Sequence, residues 1–139
     1  MEIVINKCYG GFGLSIKGLY RYCEKKYGQA YVYKSDGTER GMGTQVPYSD
    51  NIKSTLDYYI SPEDHKGSVD LNDMTWVAYW DIKRNDPALV ATVRELGDEA
   101  NGKYARLEIV EIPDDVGDNW HIDEYDGMET IHENHRSWS

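Results

Sequence analysis

The sequence predicts an α+β fold, a small and mostly antiparallel sheet carrying two helices, over 139 residues. Three observations point there. Only two segments, around 16–27 and 87–96, combine helical spacing of apolar residues with capping residues at their ends. Most other apolar segments are short and rich in β-branched or aromatic residues, the composition of strands. Near the C-terminus, Asp126-Gly127 separates two such segments, the signal of a tight type I′ hairpin. Two helices among sheet-forming segments imply helices packed on an antiparallel or mixed sheet, in the order β-α-β-(loop)-β-α-β-β-β.

Each element follows from its residues. "EIVIN" (2–6) is a first strand, and "GGFG" (10–13) breaks it. Ser15 is the expected N-cap of a helix over 16–27, whose Ile16, Leu19, Tyr20, Cys23 and Tyr27 share one face. Gly18 inside that helix costs about 1 kcal/mol relative to Ala, and Gly28 suits the position just past its end. "QAYVYK" (29–34) is a second strand. Residues 35–75 are rich in Gly, Ser and Asp and read as a long irregular segment, with a short element of undetermined type at 52–60. A connection this long is usually functional, mobile or partly structured. "WVAYWDI" (76–82) is apolar at alternate positions on both faces and reads as a central strand. Asp86 and Pro87 open a second helix, Leu89, Val90, Val93 and Leu96 form its apolar face, and Gly97 ends it. "YARLEIVEIP" (104–113) is a strand with Ala105, Leu107 and Ile109 on one face. Residues 120–133 form the hairpin around Asp126-Gly127.

The length suits a single domain over 1–139 with one core, and no internal repeat is visible. A net charge of −10 disfavours nonspecific nucleic-acid binding, so DNA is not an expected partner. A few well-placed arginines can still hold a small anion. No apolar stretch is long enough to cross a bilayer, so no membrane partner is expected. Cys8 and Cys23 do not make a disulfide framework and no signal peptide is seen, which predicts a reduced cytoplasmic protein with two buried thiols. The aromatics are 12 Tyr and 4 Trp against 1 Phe, a bias toward rings with a polar handle that serve wet interfaces and stacking as well as cores.

Catalytic signatures are weak. His121, His132, His135 and Glu133 lack zinc-site spacing, so neither a metal nor a cofactor is expected. Cys8, next to the glycine turn, reads as a small buried hydrophobe, and no nucleophile-elbow or triad pattern is present. The glycine loop lies between a strand and a helix N-terminus, where amides can receive an anion. Its spacing fits neither the Walker nor the dinucleotide pattern, so Gly10, Gly11 and Gly13 are a tight turn first and a second-site candidate by position only. Tyr9 and Phe12, framed by these glycines, are candidates for contact with a ligand or partner. Arg84 sits at the corner before the second helix, and Arg136 stands between His135 and Trp138.

Five motifs, "VINKCYGGFGLS" (4–15), "RNDPALVATVRELG" (84–97), "ANGKYARLEIVEIPDDV" (100–116), W-x-I-x-x-YDG (120–127) and "HRSW" (135–138), resemble a family of small phage-encoded proteins. Its characterised members are the Thoeris anti-defence sponges of the first described type. The resemblance covers residues 1–20 and 76–139 well and 30–75 poorly. It implies a non-enzymatic protein of the host cytoplasm that binds a cyclic ADP-ribose isomer, the signal made by the TIR-domain protein of the Thoeris system. Some members also sequester cyclic di- or trinucleotides at a separate site. Pockets in the family lie at a homodimer interface, and some members form hexamers. The family's two ligand-gripping arginines fall on Arg84 and Arg136. Asn85, Phe12, Tyr9, His135 and Trp138 are the other expected ligand contacts. Asn85 and Ser137 stand where relatives often carry Thr, and both keep a small polar side chain. Two alternatives remain at this stage: an enzyme degrading the same signal, and a phage structural or interaction protein that uses 35–75 as its contact.

A sponge acts by stoichiometry and must bind tightly, and nanomolar affinity corresponds to about −12 kcal/mol. A charge-assisted hydrogen bond contributes roughly 1.5–3 kcal/mol and base stacking about 1–3 kcal/mol. Two arginines therefore need aromatic surfaces beside them.

Overall fold

The computed structural model describes residues 1–37, 41–53 and 56–134; the expected contacts His135, Arg136 and Trp138 lie outside these. Both helices begin as their caps predict. The Ser15 hydroxyl accepts the Gly18 N–H at 3.0 Å and opens α1 (Ile16–Tyr27). Gly28, at φ 80, closes α1 by returning its N–H to the Glu24 carbonyl at 2.9 Å, in a conformation that favours glycine. The Asp86 carboxylate accepts the Ala88 N–H at 2.9 Å and opens α2 (Pro87–Leu96), with Pro87 in the first turn.

The same carboxylate joins the helices. Asp86 Oδ2 accepts from the Tyr22 hydroxyl at 2.7 Å and from Lys26 Nζ at 3.1 Å. Burial pushes the Asp86 carboxyl up, but the Tyr22, Ala88 and Lys26 hydrogen bonds outweigh it and hold the group below the usual carboxylate range. On the outer side, Arg21 bridges Glu24 and Glu95, each at 2.8 Å.

Among the described residues, eight strands complete an α+β fold, all pairing antiparallel. β1 (Glu2–Asn6) pairs with β6 (Leu107–Glu111), Ile3 opposite Val110 and Ile5 opposite Glu108. β2 (Tyr31–Ser35), β3 (Met42–Val46), β4 (Tyr58–Ser61) and β5 (Ser68–Asp70) make a sheet in the order β4-β2-β3-β5. β7 (Trp120–Tyr125) and β8 (Met128–Glu133) form the hairpin, and Asp126 and Gly127 at φ 51 and φ 91 give the turn two left-handed residues. One core draws Val4 from β1, Ile16, Leu19, Tyr22 and Cys23 from α1, Val32 and Ile60 from the larger sheet, and Leu89, Val90 and Val93 from α2. Burial, helped by Glu24, pushes the Cys23 thiol up to about 12.

Three expectations are corrected. The segment 35–75 is only partly irregular: it contributes β3 and β5, and β4 overlaps the short element expected at 52–60. Its glycines hide a strand because Gly43 lies inside β3, where a Cβ would come within 2.6 Å of Leu71 Cδ2. "WVAYWDI" is not a central strand. Val77 donates one backbone bond to Ile60 at 2.7 Å, and the chain then turns through a 3-10 helix, Tyr79–Asp81. Val77, Ala78 and Ile82 turn inward while Trp76 and Trp80 stay outside, so the unbroken apolar run reflects two different environments. The order is otherwise roughly the expected one, with further strands inside 35–75 and a turn at 79–81. Of the two cysteines, only Cys23 is buried; Cys8 is half-buried beside the glycine turn.

Candidate functional site

The site grows from the end of β1. Asn6 closes an apolar strand, yet it is fully buried. Its backbone N–H and both polar atoms of its side chain are used. Its N–H donates to Glu129 Oε1 at 2.8 Å, and its side-chain amide donates to the carbonyls of Cys8 and Gly127, both at 2.7 Å. Its Oδ1 accepts the Arg106 N–H at 2.8 Å. One side chain thus ties β1, the glycine loop, the hairpin turn and the approach to β6.

The glycines permit this closeness. A Cβ on Gly127 would stand 2.3 Å from Gly11 N and 2.6 Å from Gly10 N, so the hairpin turn lies directly against the loop amides. A Cβ on Gly10 would stand 2.3 Å from the Tyr104 carbonyl oxygen. Gly13 accepts the Gly102 N–H at 2.9 Å. Gly10 and Gly13 thus sit at packing positions, Gly11 takes a left-handed φ of 95, and Gly127 faces the amides that a phosphate cradle would offer.

Glu129 comes with the hairpin and is only 6 % exposed. It receives Arg84 Nη1 at 2.6 Å and Nη2 at 2.7 Å, a bidentate charge-assisted pair. Arg84 Nη1 also reaches the Val4 carbonyl at 3.4 Å. The guanidinium carbon lies 3.5 Å from the centre of the Phe12 ring. Phe12 therefore serves as a platform under Arg84. The end-on fork of Arg84 is filled by Glu129. Its lateral edge, Nε–H and the outer Nη2–H, takes no hydrogen bond from the described residues. A guanidinium has five donors, so that edge can still take an oxyanion without breaking the pair. Glu129 cancels the charge of Arg84, however, so the edge offers directional hydrogen bonds more than net attraction.

A series of rings leads away from this corner. Phe12 meets Tyr79 at 6.2 Å, Tyr79 meets Trp80 at 5.0 Å, Trp80 meets Trp76 at 5.7 Å, and Trp76 meets Tyr59 of β4 at 5.0 Å. The last three contacts are edge-on. Trp80 is 63 % exposed and Trp76 37 % exposed. The 3-10 turn at Tyr79–Asp81 holds Tyr79 and Trp80 beside each other.

The remaining candidates are more scattered. Asn85 is half-buried, with its amide 3.8 Å from the Met1 sulfur. Tyr9 is exposed on the glycine loop. His121 and His132 face each other across the hairpin, and Asp123 lies 3.3 Å and 3.4 Å from their Nε2 atoms. No group of three or more metal-binding side chains is assembled among the described residues. Of the expected contacts, the structure brings Arg84 and Phe12 together; Asn6, Glu129, Trp76 and Trp80 beside them were not expected. One signal was available: an Asn directly ending a β-branched strand is a polar residue placed where the core begins.

Comparisons with protein-family models, with curated proteins and with solved structures gave no match.

Proposed function

We propose that this chain is a non-enzymatic sponge for a cyclic ADP-ribose-type immune signal, acting in the host cytoplasm to block Thoeris anti-phage defence. One observation carries the reading: the exposed ring series that ends at Arg84 with a free lateral donor edge above Phe12. Such an arrangement suits a ligand with both a purine face and a pyrophosphate. The base stacks on Trp80 or Trp76, and a phosphate oxygen takes the Arg84 edge. The motifs shared with the sponge family support the same ligand. Because Glu129 neutralises Arg84, a second cation has to supply net attraction, and the resemblance assigns that role to Arg136. A homodimer would bring two copies of each group to one interface.

The test is a filtration assay. Protein in excess is mixed with the cyclic ADP-ribose isomer, filtered, and then heat-denatured. The intact signal should vanish from the filtrate and return after denaturation. A linear product, formed by protein at substoichiometric amounts, would instead establish a degrading enzyme. Full recovery of signal in the first filtrate would reject both.

A further inference from the structure

A second concave surface shares no residue with the Arg84 corner. It is a groove of about 520 Å³ between α1, the β2 and β3 ends, and the β4–β5 connection. Clefts of roughly 300–1,000 Å³ are the size that small molecules occupy. It lies in the part of the chain that the family motifs do not cover.

Its walls are aromatic and fixed. Tyr20 of α1 and Tyr48, after β3, stack with ring centres 4.2 Å apart and planes 16° apart. The Tyr48 hydroxyl donates to Asp50 at 2.9 Å, which holds the outer ring in place. Tyr31 and Val46 extend the apolar lining. Burial raises both Tyr20 and Tyr48, the latter to about 12, so their hydroxyls stay neutral at physiological pH.

Two polar groups complete the groove. Gln45 lines it, and its backbone N–H binds the Gly67 carbonyl at 3.0 Å, which fastens the β4–β5 connection to β3. Lys66, next to Gly67, also lines the groove. Its backbone sits at φ 52, and its N–H is held by Asp64 at 3.0 Å. Its ammonium forms no ion pair with the described residues, in a chain whose net charge is −10. A lone cation among tyrosines suits one acidic group. The strongly negative chain disfavours a polyphosphate there.

We infer that this groove binds a small planar ring carrying one acidic group, with the ring against the tyrosine walls, the acid on Lys66 Nζ and the ring edge on the Gln45 amide. The shared chemistry belongs to aromatic carboxylates and to nucleoside monophosphates. This site is independent of the cyclic ADP-ribose reading.

Calorimetric titration tests it with two matched pairs: indole-3-acetate against indole-3-ethanol, and AMP against adenosine. In at least one pair the acid should bind about 10-fold or more tightly than its neutral partner. Binding of the carboxylate alone or of the phosphate alone supports the site and identifies the source. Lys66→Gln should erase the preference for the acid with the thermal unfolding midpoint unchanged, because the side chain is exposed and unpaired. Trp80→Ala, on the ring surface of the other site, should leave the titration as it was. Three results would overturn the assignment. They are no binding of either acid up to about 10 mM, equal binding of acid and neutral partner, or an acid preference that survives Lys66→Gln and falls with Trp80→Ala.

Discussion

The Arg84 corner and the four-stranded sheet are built on opposite principles. The corner is held by polar groups far apart in sequence: Asn6 binds Gly127 across 121 residues, and Arg84 binds Glu129 across 45. Asn6 and Glu129 are buried with their side chains hydrogen-bonded, and the corner's glycines pack closely against backbone. The sheet joins near neighbours in the chain, β2 to β3 and β3 to β5, and leaves a tyrosine-lined groove open at its end. A buried polar node tolerates almost no change, because any lost partner leaves another group unsatisfied. A locally paired sheet can vary its exposed residues freely.

The sharpest way to break this contrast is Glu129→Ala. It leaves Arg84 without its carboxylate and the Asn6 N–H without its acceptor, and should cost about 3–5 kcal/mol in urea unfolding. A loss below about 1 kcal/mol would mean that the pair behaves as a surface ion pair. Glycine substitutions come next. Gly127→Ala meets backbone nitrogen at 2.3 Å from a residue at φ 91, whereas Gly43→Ala meets only the end of the flexible Leu71 side chain at 2.6 Å. The first should cost about 2–3 kcal/mol and the second about 1 kcal/mol. Equal unfolding midpoints for the two variants would erase the distinction between corner and sheet.

The helix junction lies between them in effect. Asp86→Asn keeps a capping side chain but loses the charge on Tyr22 and Lys26, and should cost about 1 kcal/mol near neutral pH. The folded carboxyl is lowered, so the unfolded chain takes up its proton first as the pH drops. The stabilisation from Asp86 is therefore full above the unfolded value of about 3.9 and fades as pH falls through the folded one. Stability measured from pH 7 down to pH 2 should show a shallower acid loss in Asp86→Asn than in the parent. A parallel pair of profiles would remove Asp86 from the acid response.

The smallest effect on stability, and the most telling for function, belongs to Trp80→Ala. An exposed ring should change unfolding by less than about 0.5 kcal/mol. Signal retention in the filtration assay should weaken by about 1–3 kcal/mol, roughly 10-fold or more, if a base stacks there. Retention equal to the parent would move the ligand off the ring series.

Local signals were legible and non-local ones were not. The capping and turn roles of Ser15, Gly28, Asp86, Pro87 and Asp126-Gly127 act through residues within four positions, so those roles could be read directly. β3 and β5 were hidden because their short, glycine- and serine-bearing segments show no apolar alternation and gain stability only by pairing. "WVAYWDI" misled for the opposite reason: an apolar run records burial and aromatic content, and both a strand and a tight turn can supply them. In the candidate site, Arg84 and Phe12 stood out by type and position. Glu129 did not, since one carboxylate in an acidic C-terminal region carries no mark of its partner.

The amino-acid sequence by itself determined the α+β class, both helices with their caps and the hairpin with its turn, because these depend on backbone preferences and hydrogen bonds within a few residues. Only the tertiary structure decided that Arg84 is paired with Glu129, that Gly127 rests on the loop amides, and that Trp76 and Trp80 stay outside. Those outcomes depend on which distant surfaces meet, and on every buried polar group finding a partner once they do.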